Sequence, residues 1–277
     1  MEIKMGKIIL PFEKQKVLGQ IDGLAIIDKF GETLLIATGD PATQVWDRDH
    51  NLTYLTSPTE FYISSSNNAD NQKINCVVMT GAKKYVPVQI TLQGNTPLAL
   101  SVNGTSPDPD FCPGCGFLRG VRMKPDNGSS TAGDVYMAST NVGTVAGVPT
   151  DAAIQMWYSL LKQQTQMTHF TIPAGYYGLM TELFIGIINN GNVSPTNADI
   201  VLHRKHMDGP GFRNKWSLPL GSEGGPIVIR SAGKFIKPEY DMHFEVLSVG
   251  RNDTKITISY TVELYRADKI NAPIVLD

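Results

Sequence analysis

The chain has 277 residues, of which 42% are hydrophobic and 18% are charged, and its formal net charge is −2. This length suits one large or two medium domains, and the balance of 24 basic against 26 acidic residues gives no global positive field for nucleic acid or a membrane surface. No apolar run reaches the ~18 residues of a membrane span, and three cysteines are too few for a disulfide framework, which favours folding in a reducing compartment.

Residues 1–50 are predicted to form an extended N-terminal arm that has no core of its own. Their apolar pieces, at 8–11 and 34–37, are short and are separated by glycines. We therefore expect these pieces to lie on the domains that follow or on a neighbouring subunit. Trp46 stands in a polar run, where it either plugs its own chain's core or anchors in a neighbour's pocket; tryptophan more often does the former.

Residues 51–148 alternate between strand-like and turn-like pieces at the spacing of 8–12 residues that is typical of a β-sandwich. In the segment 85–92 the apolar residues recur with period two, and Pro87 predicts an edge strand because proline cannot donate to a ladder. The strands predicted for this first sandwich domain cover residues 60–65, 73–80, 85–92, 97–102, 117–123 and 134–138.

Residues 149–277 are predicted to form a second sandwich around the segment 170–188. Proline and glycine at 173–175 break this segment into two strands joined by a corner. Its second part, 176–188, is so dense in apolar residues that we expect a central strand buried on both faces. The remaining strands are predicted at 199–206, 212–220, 226–230, 235–238, 243–249 and 255–265; the last alternates cleanly, with Ile256, Ile258, Tyr260, Val262 and Leu264 facing the core.

Residues 151–163 allow two interpretations. Apolar residues from Ile154 to Leu161 recur at helical spacing, with Asp151 as a possible N-cap, but the same residues are rich in strand formers. The residues alone leave helix and strand open.

The sharpest local motif is C-P-G-C-G at 112–116. This pattern is half of a zinc knuckle, but a tetrahedral zinc site needs four ligands, and only Cys76 and scattered histidines remain. Cys112 and Cys115 therefore stand either in a tight loop with incidental thiols or in a metal or disulfide clip, with a catalytic thiol as the third reading. We expect no cofactor, zinc at Cys112 and Cys115 being the open alternative.

Other polar groups give no clear sign of catalysis. His203 and His206 lie three apart on a predicted strand, where they point to opposite sides and read as solvated strand-end residues. The segment 47–50 has metal-ligand residue types without a partner at a telling spacing. Tyr176 and Tyr177 either fill a sandwich corner or offer a platform for sugar. The nucleotide, hydrolase and metalloprotease motifs are missing from the chain, so we expect no enzyme and assign no catalytic residue.

Three groups of residues follow one another in a recognisable order: K-F-G at 29–31 with T-G-D-P at 38–41 and V-W-D at 45–47; N-A-D-N and L-Q-G-N-T-P within the run 63–97; and F-T-I-P-A-G at 170–175 with A-D-I-V-L at 198–202 and F-I-K-P at 235–238. In these the chain resembles virion structural proteins of tailed bacteriophages, especially podovirus-like phages of aquatic bacteria. The cysteine motif is not part of the resemblance. In the relatives the segment matching 151–163 is extended, which favours a strand there.

The resemblance implies a non-enzymatic component of the virion: a capsid decoration, a head–tail neck protein or a tail-attached protein. Together with the strand pattern, it predicts an all-β chain of two jelly-roll-like β-sandwich domains, 51–148 and 149–277, behind the arm 1–50. We expect a homo-oligomer that contacts capsid, portal or tail proteins, binds neither nucleic acid nor membrane directly, and assembles in the bacterial host cytoplasm. The candidate interface residues are Phe30, Trp46, Tyr176 and Tyr177.

The alternative is a receptor- or glycan-binding module of the virion with the same architecture. Its candidate surfaces are the loops at 189–197 and 209–212, which are rich in asparagine, glycine and aromatic residues.

Overall fold

The computed structural model describes residues 21–189, 197–220, 227–230 and 235–270. In these ranges sixteen strands form four antiparallel sheets, which pack as two β-sandwiches. The predicted all-β sandwich fold is therefore confirmed. The few helical turns within the described ranges lack the length and apolar character needed to cross a membrane.

The first sandwich contains seven strands and one helical turn. Its sheets run β6-β3-β8-β9 and β5-β4-β7 and enclose a core that includes Phe61, Ile74, Val88, Met123 and Tyr158. The elements are β3 (Tyr62–Ser65), β4 (Lys73–Thr80), β5 (Tyr85–Thr91), β6 (Leu98–Ala99), α1 (Leu100–Asn103), β7 (Phe117–Pro125), β8 (Val135–Ala138) and β9 (Ile154–Tyr158).

The second sandwich contains nine strands. Its sheets run β1-β16-β11-β14 and β10-β15-β12-β13, with β2 pairing on β15. The elements are β1 (Leu24–Glu32), β2 (Thr43–Gln44), β10 (Phe170–Thr171), β11 (Tyr176–Asn189), β12 (Ala198–His206), β13 (Arg213–Leu220), β14 (Ile227–Arg230), β15 (Tyr240–Val249) and β16 (Thr254–Arg266).

Alternation in the sequence predicts the most regular strands correctly. Every second residue of β16 from Ile256 to Leu264 is buried, and so are Val86, Val88, Ile90 and Leu92. The strand that contains Pro87 lies at the edge of its sheet, as predicted. The predicted strand at 97–102 is wrong: after two paired residues the chain turns into α1, where Gly104 N donates to Leu100 O at 2.9 Å.

The corner at 173–175 joins two strands of different sheets, because β10 pairs with β15 and β11 pairs with β16. Gly175 adopts a φ of 78°, which favours glycine. The central position of β11 is confirmed, but its predicted burial on both faces is wrong. Leu183 and Ile185 point into the core, whereas Phe184 is 41% and Ile188 is 52% exposed. A two-layer sandwich covers only one face of each sheet, so apolar residues on the other face remain open.

Strand pairing distributes the chain differently from the predicted domain boundaries. Strands β1 and β2 lie within the predicted arm, 1–50, but they pair with β16 and β15 of the second sandwich. Strand β9 pairs with β8 and so lies in the first sandwich, with a 3-10 turn at Asp151–Ala153 before it. The strand interpretation of this segment is thereby confirmed. The apolar piece at 8–11 lies outside the described residues.

Lys29 lies on the face of β1 that packs towards the first sandwich. Its side chain is buried, and Nζ donates to Val121 O of β7 at 2.7 Å. Burial, together with the nearby charge of Arg122, lowers the pKa of Lys29 from 10.5 to about 7. The lysine is therefore held in a position that disfavours its charge.

This position predicts an unusual dependence of stability on pH. Between pH 7 and 10.5 the unfolded chain holds the Lys29 proton while the folded chain releases it, so stability rises with pH in this window. From pH 7 to pH 9 the wild type should gain roughly 2–3 kcal/mol more than the variant Lys29→Met, measured by urea unfolding. The exposed control Lys73→Met should keep the wild-type slope. Equal slopes for the wild type and Lys29→Met would refute the prediction.

Candidate functional site

Polar side chains lie between the two sandwiches on one face of β15. Met242 and Phe244 point into the second core, so Asp241, His243 and Glu245 point the other way, because side chains alternate along a strand. We call the group that these three residues form with their contacts the polar seam. Their contacts are Gln44, Tyr54, Arg119, His169, Thr171 and His203.

A buried ion pair forms the centre of the polar seam. Arg119 Nε and Nη2 donate to the two carboxylate oxygens of Asp241 at 2.9 and 2.8 Å, and the Thr171 hydroxyl donates to Oδ1 at 2.6 Å. Arg119 Nη1 also donates to the carbonyl oxygens of Leu55 and Leu118, both at 2.7 Å. Asp241 is fully buried, so the pair depends on these hydrogen bonds. It ties β7 of the first sandwich to β15 of the second.

Three imidazole rings stack beside this ion pair. The ring centroids of His169 and His243 are 5.3 Å apart, and those of His243 and His203 are 5.2 Å apart. His169 Nε2 lies 2.7 Å from Gln44 Oε1, and His243 Nδ1 lies 2.9 Å from the Tyr54 hydroxyl. The Gln44 oxygen accepts, so His169 Nε2 carries the proton.

Burial sets the charge of the inner two rings. It lowers the pKa of His169 well below the usual 6.5, and it lowers the pKa of His243 to about 3, with the nearby His203 adding to the effect. Both rings are therefore neutral at pH 7. The seam is polar but gains no positive charge from them.

Three groups of side chains in the described part of the chain have metal-ligand types within reach of one another. In two of them a cation already contacts the carboxylates: Arg48 pairs with Asp151, and Lys83 Nζ lies 2.9 Å from Asp208 and 2.5 Å from Glu239. In the third, Glu245 Oε2 lies 2.6 Å from His203 Nε2. The groups are Asp49 with His50 and Asp151, His206 with Asp208 and Glu239, and His203 with His243 and Glu245.

The histidines of the predicted strand end are not simply solvated. His203 stacks on His243 inside the seam, whereas His206 lies in the group with Asp208 and Glu239.

The cysteine pair forms a disulfide between Cys112 and Cys115, with a Cα–Cα distance of 5.3 Å. The loop is a tight turn in which Cys115 N donates to Cys112 O at 3.0 Å and Gly114 adopts a φ of 81°. Of the alternatives in the sequence, the disulfide clip is the one present. Bonded to each other, the two sulfurs are not thiolate ligands for zinc. Cys76 is free and buried.

The four candidate interface residues lie in different places. Trp46 is 1% exposed and belongs to the first core, where its indole Nε1 donates to His50 O at 2.5 Å. It therefore plugs its own chain. Tyr176 packs against the second core, and Tyr177 meets the ring of Phe235 edge-on at 6.5 Å. Phe30 is 40% exposed on β1.

Two surface grooves have linings that include none of the seam's three histidines. One, of about 640 Å³, follows β4, β5 and β7 and is lined by Asn75, Gln89 and Arg122 among others. The other, of about 350 Å³, is basic, with Arg213 and Lys215 among its lining residues.

Sequence reasoning missed the seam apart from His203. A signal was present in β15, where polar Asp241, His243 and Glu245 alternate with Met242, Phe244 and Val246. Alternation of this kind ordinarily predicts a face open to water. It gives no indication that another sandwich covers that face.

Comparisons with known proteins leave the family open. No protein-family model matches the chain, and no curated protein matches it. Solved structures with a partial likeness include the infectious bursal disease virus VP2 subviral particle, at a TM-score of 0.21 and 9% identity over 95% of this chain and 80% of that chain. The Gt strain of the same virus gives a TM-score of 0.18 and 9% identity, over 93% and 83% of the two chains. Likeness this low carries no argument about function.

The ion pair predicts that truncation of Arg119 alone strongly lowers the free energy of unfolding. Arg119→Met leaves the buried Asp241 carboxylate without its counter-charge, so the free energy of unfolding should fall by about 3–5 kcal/mol. Asp241→Asn in the same chain should recover part of the loss by removing the orphaned charge. Arg122→Met, an exposed control on the same strand, should stay within about 0.5 kcal/mol of the wild type in urea unfolding. Equal effects of the two arginine variants would contradict this role of the pair.

The disulfide between Cys112 and Cys115 predicts how many cysteine thiols react with a labelling reagent before and after reduction. Denatured protein without reductant should react at one thiol, Cys76, and at three after reduction. The variant Cys76→Ser should show none before reduction, and a chelator should change neither count, as the mass of the labelled chains will show. Three reactive thiols before reduction would mean that the Cys112–Cys115 bond is absent.

Proposed function

We propose that this chain is a non-enzymatic structural protein of a tailed-bacteriophage virion, which assembles through symmetric contacts between its own copies on the head, neck or tail. The observation that carries the proposal is a group of exposed apolar side chains on the outward face of the sheet β1-β16-β11-β14. The register of this sheet puts Phe30 and Phe184 on either side of Ser259, on the face opposite the second core.

This surface, which we call the outer sheet face, continues over the neighbouring rows of the sheet. Phe30, Phe184 and Ile188 are its most exposed members, at 40%, 41% and 52%, and the other apolar members are half-buried. The same register places polar residues between the apolar ones, among them Asp28, Glu182, Lys255 and Glu263. The apolar members of the outer sheet face are Leu24, Ile26, Phe30, Tyr177, Leu179, Phe184, Ile188 and Tyr265.

An open face of an antiparallel sheet is ordinarily polar, because its alternate side chains meet water. Apolar residues gathered on such a face mark a surface that another protein covers. A flat sheet face can meet its own copy around a two-fold axis, because the same residues then lie on both sides of the contact. The face therefore suits repeated subunit contacts better than it suits a small-molecule site.

The resemblance to virion proteins supports a location on the virus particle. The polar seam supports a non-enzymatic function. Arg119 and Asp241 are bound to each other inside the chain, and His169 and His243 are buried. These groups hold the sandwiches together instead of converging on an open cleft. We further propose that the N-terminal segment, 1–50, contacts capsid, portal or tail proteins through residues outside β1 and β2, which pair within the second sandwich, and that assembly takes place in the host cytoplasm.

The proposal predicts that charge on the outer sheet face prevents assembly. Purified wild-type chain should be oligomeric in light scattering coupled to size exclusion, whereas Phe30→Asp combined with Phe184→Asp should shift it to monomer. The two carboxylates would have to lose water in the contact, which is unfavourable. The control Val102→Asp, at an exposed site of the first sandwich, should remain oligomeric.

Two outcomes would reject this function. One is a wild type that stays monomeric at all concentrations and is missing from purified particles of the phage that encodes it. The other is an oligomer that the paired aspartates leave intact. If neither outcome occurs, electron microscopy of the particle with the labelled subunit identifies its place as head, neck or tail.

A further inference from the structure

We propose that His203, His243 and Glu245 form a binding site for a transition-metal ion of the zinc class. This inference is independent of the virion role, since it rests on side chains of the polar seam and not on the outer sheet face. Each residue offers one ligand atom, and these atoms all lie within 4.8 Å of one another.

The sheet itself brings the three residues together. His203 on β12 is the direct partner of His243 on β15 in the antiparallel register, and directly opposed side chains lie on the same face, with Cβ atoms about 5 Å apart. Glu245 lies two residues further along β15, again on that face. The backbone therefore fixes the approach of the three ligands before any ion binds.

The donor set suits zinc. Two imidazoles and one carboxylate bind zinc at about 2.0–2.2 Å and leave a fourth position for water or another ligand. Imidazole nitrogen also favours zinc over magnesium or calcium, which prefer oxygen alone. Ligand atoms bound tetrahedrally to zinc at these bond lengths stand roughly 3.3 Å from one another. His203 Nε2 and Glu245 Oε2, now 2.6 Å apart, therefore have to separate slightly, which small rotations of these partly exposed side chains can supply.

His203 has unused binding capacity. Within the described ranges its buried Nδ1 has no hydrogen-bond partner, and its Nε2 forms no well-aligned hydrogen bond, although Glu245 Oε2 lies 2.6 Å away. A buried polar atom that forms no hydrogen bond costs free energy. A metal ion bound by both Nε2 and Glu245 Oε2 would replace this poorly aligned contact with two metal–ligand bonds and would neutralise the carboxylate.

Tyr54 orients the second imidazole. Its hydroxyl lies 2.9 Å from His243 Nδ1; with Nδ1 donating to Tyr54, the lone pair of His243 is on Nε2 and is free for a metal. A hydrogen bond to the outer nitrogen of a ligand histidine is the usual way in which proteins fix its tautomer and raise its basicity. Tyr54 is thus a positioning residue for the proposed site.

The other two groups of ligand types are less suited to a cation. Lys83 contacts both Asp208 and Glu239, and Arg48 contacts Asp151, so a metal would have to displace a bound cation. Among the described residues no lysine or arginine lies at ion-pair distance from Glu245. Lys205, on the same face of β12, instead packs over the rings of Phe212 and Tyr54, at 5.1 and 5.6 Å from their centroids.

The test uses the full chain, stripped of metal with a chelator. Zinc is titrated in a calorimeter, and cobalt(II) is titrated with its visible absorption as a report of coordination geometry. We expect one ion per chain and a rise in the melting temperature on zinc addition. His203→Ala and Glu245→Gln should each weaken binding about tenfold or more, and Tyr54→Phe about tenfold. Their circular dichroism spectra should match that of the wild type.

His206→Ala is the matched control, because it removes a histidine of the same strand that belongs to a different group. It should bind zinc as the wild type does. The proposal is overturned if the wild type takes up no zinc saturably at micromolar concentrations. It is equally overturned if His203→Ala and Glu245→Gln bind as tightly as the wild type, or if only His206→Ala loses binding.

Discussion

The structure depends on the ion pair between Arg119 and Asp241. Each sandwich has a core of its own, but the sheet faces on which the two meet carry polar side chains that folding removes from water. Charges in such a place are tolerated only when they are paired and hydrogen-bonded. The bidentate contact, completed by Thr171, meets this requirement and fixes how β7 and β15 face each other.

In the second sandwich, the outward faces of the two sheets differ from the usual pattern in opposite ways. The sheet that contains β15 turns polar residues towards protein, and the sheet that contains β11 turns apolar residues such as Phe184 towards solvent. A polar face that is buried and an open face that exposes large apolar side chains are both unfavourable in an isolated sandwich. The first is explained by the adjoining sandwich, and the second is explained if another molecule adjoins the outer sheet face.

Much of the fold could be predicted from local pattern. Period-two alternation gave β16 and the strand with Pro87, and the residues at 173–175 gave the corner between two sheets. The failures concern long-range partners. Apolar density in β11 does not reveal how many faces are covered, and Arg119 lies 122 residues from Asp241. Nothing in the spacing of Cys112 and Cys115 distinguishes a disulfide from a metal clip.

The order of the strands also bears on how the chain is made. All strands of the first sandwich are contiguous, from β3 to β9, whereas β1 and β2 must wait for β15 and β16. During synthesis the first sandwich can close as a unit, since domains generally fold as they emerge from the ribosome. Leu24 finds Tyr265 only after translation has passed Tyr265. Until then the apolar side of β1 has no sheet to join, so premature termination would release a chain prone to aggregation.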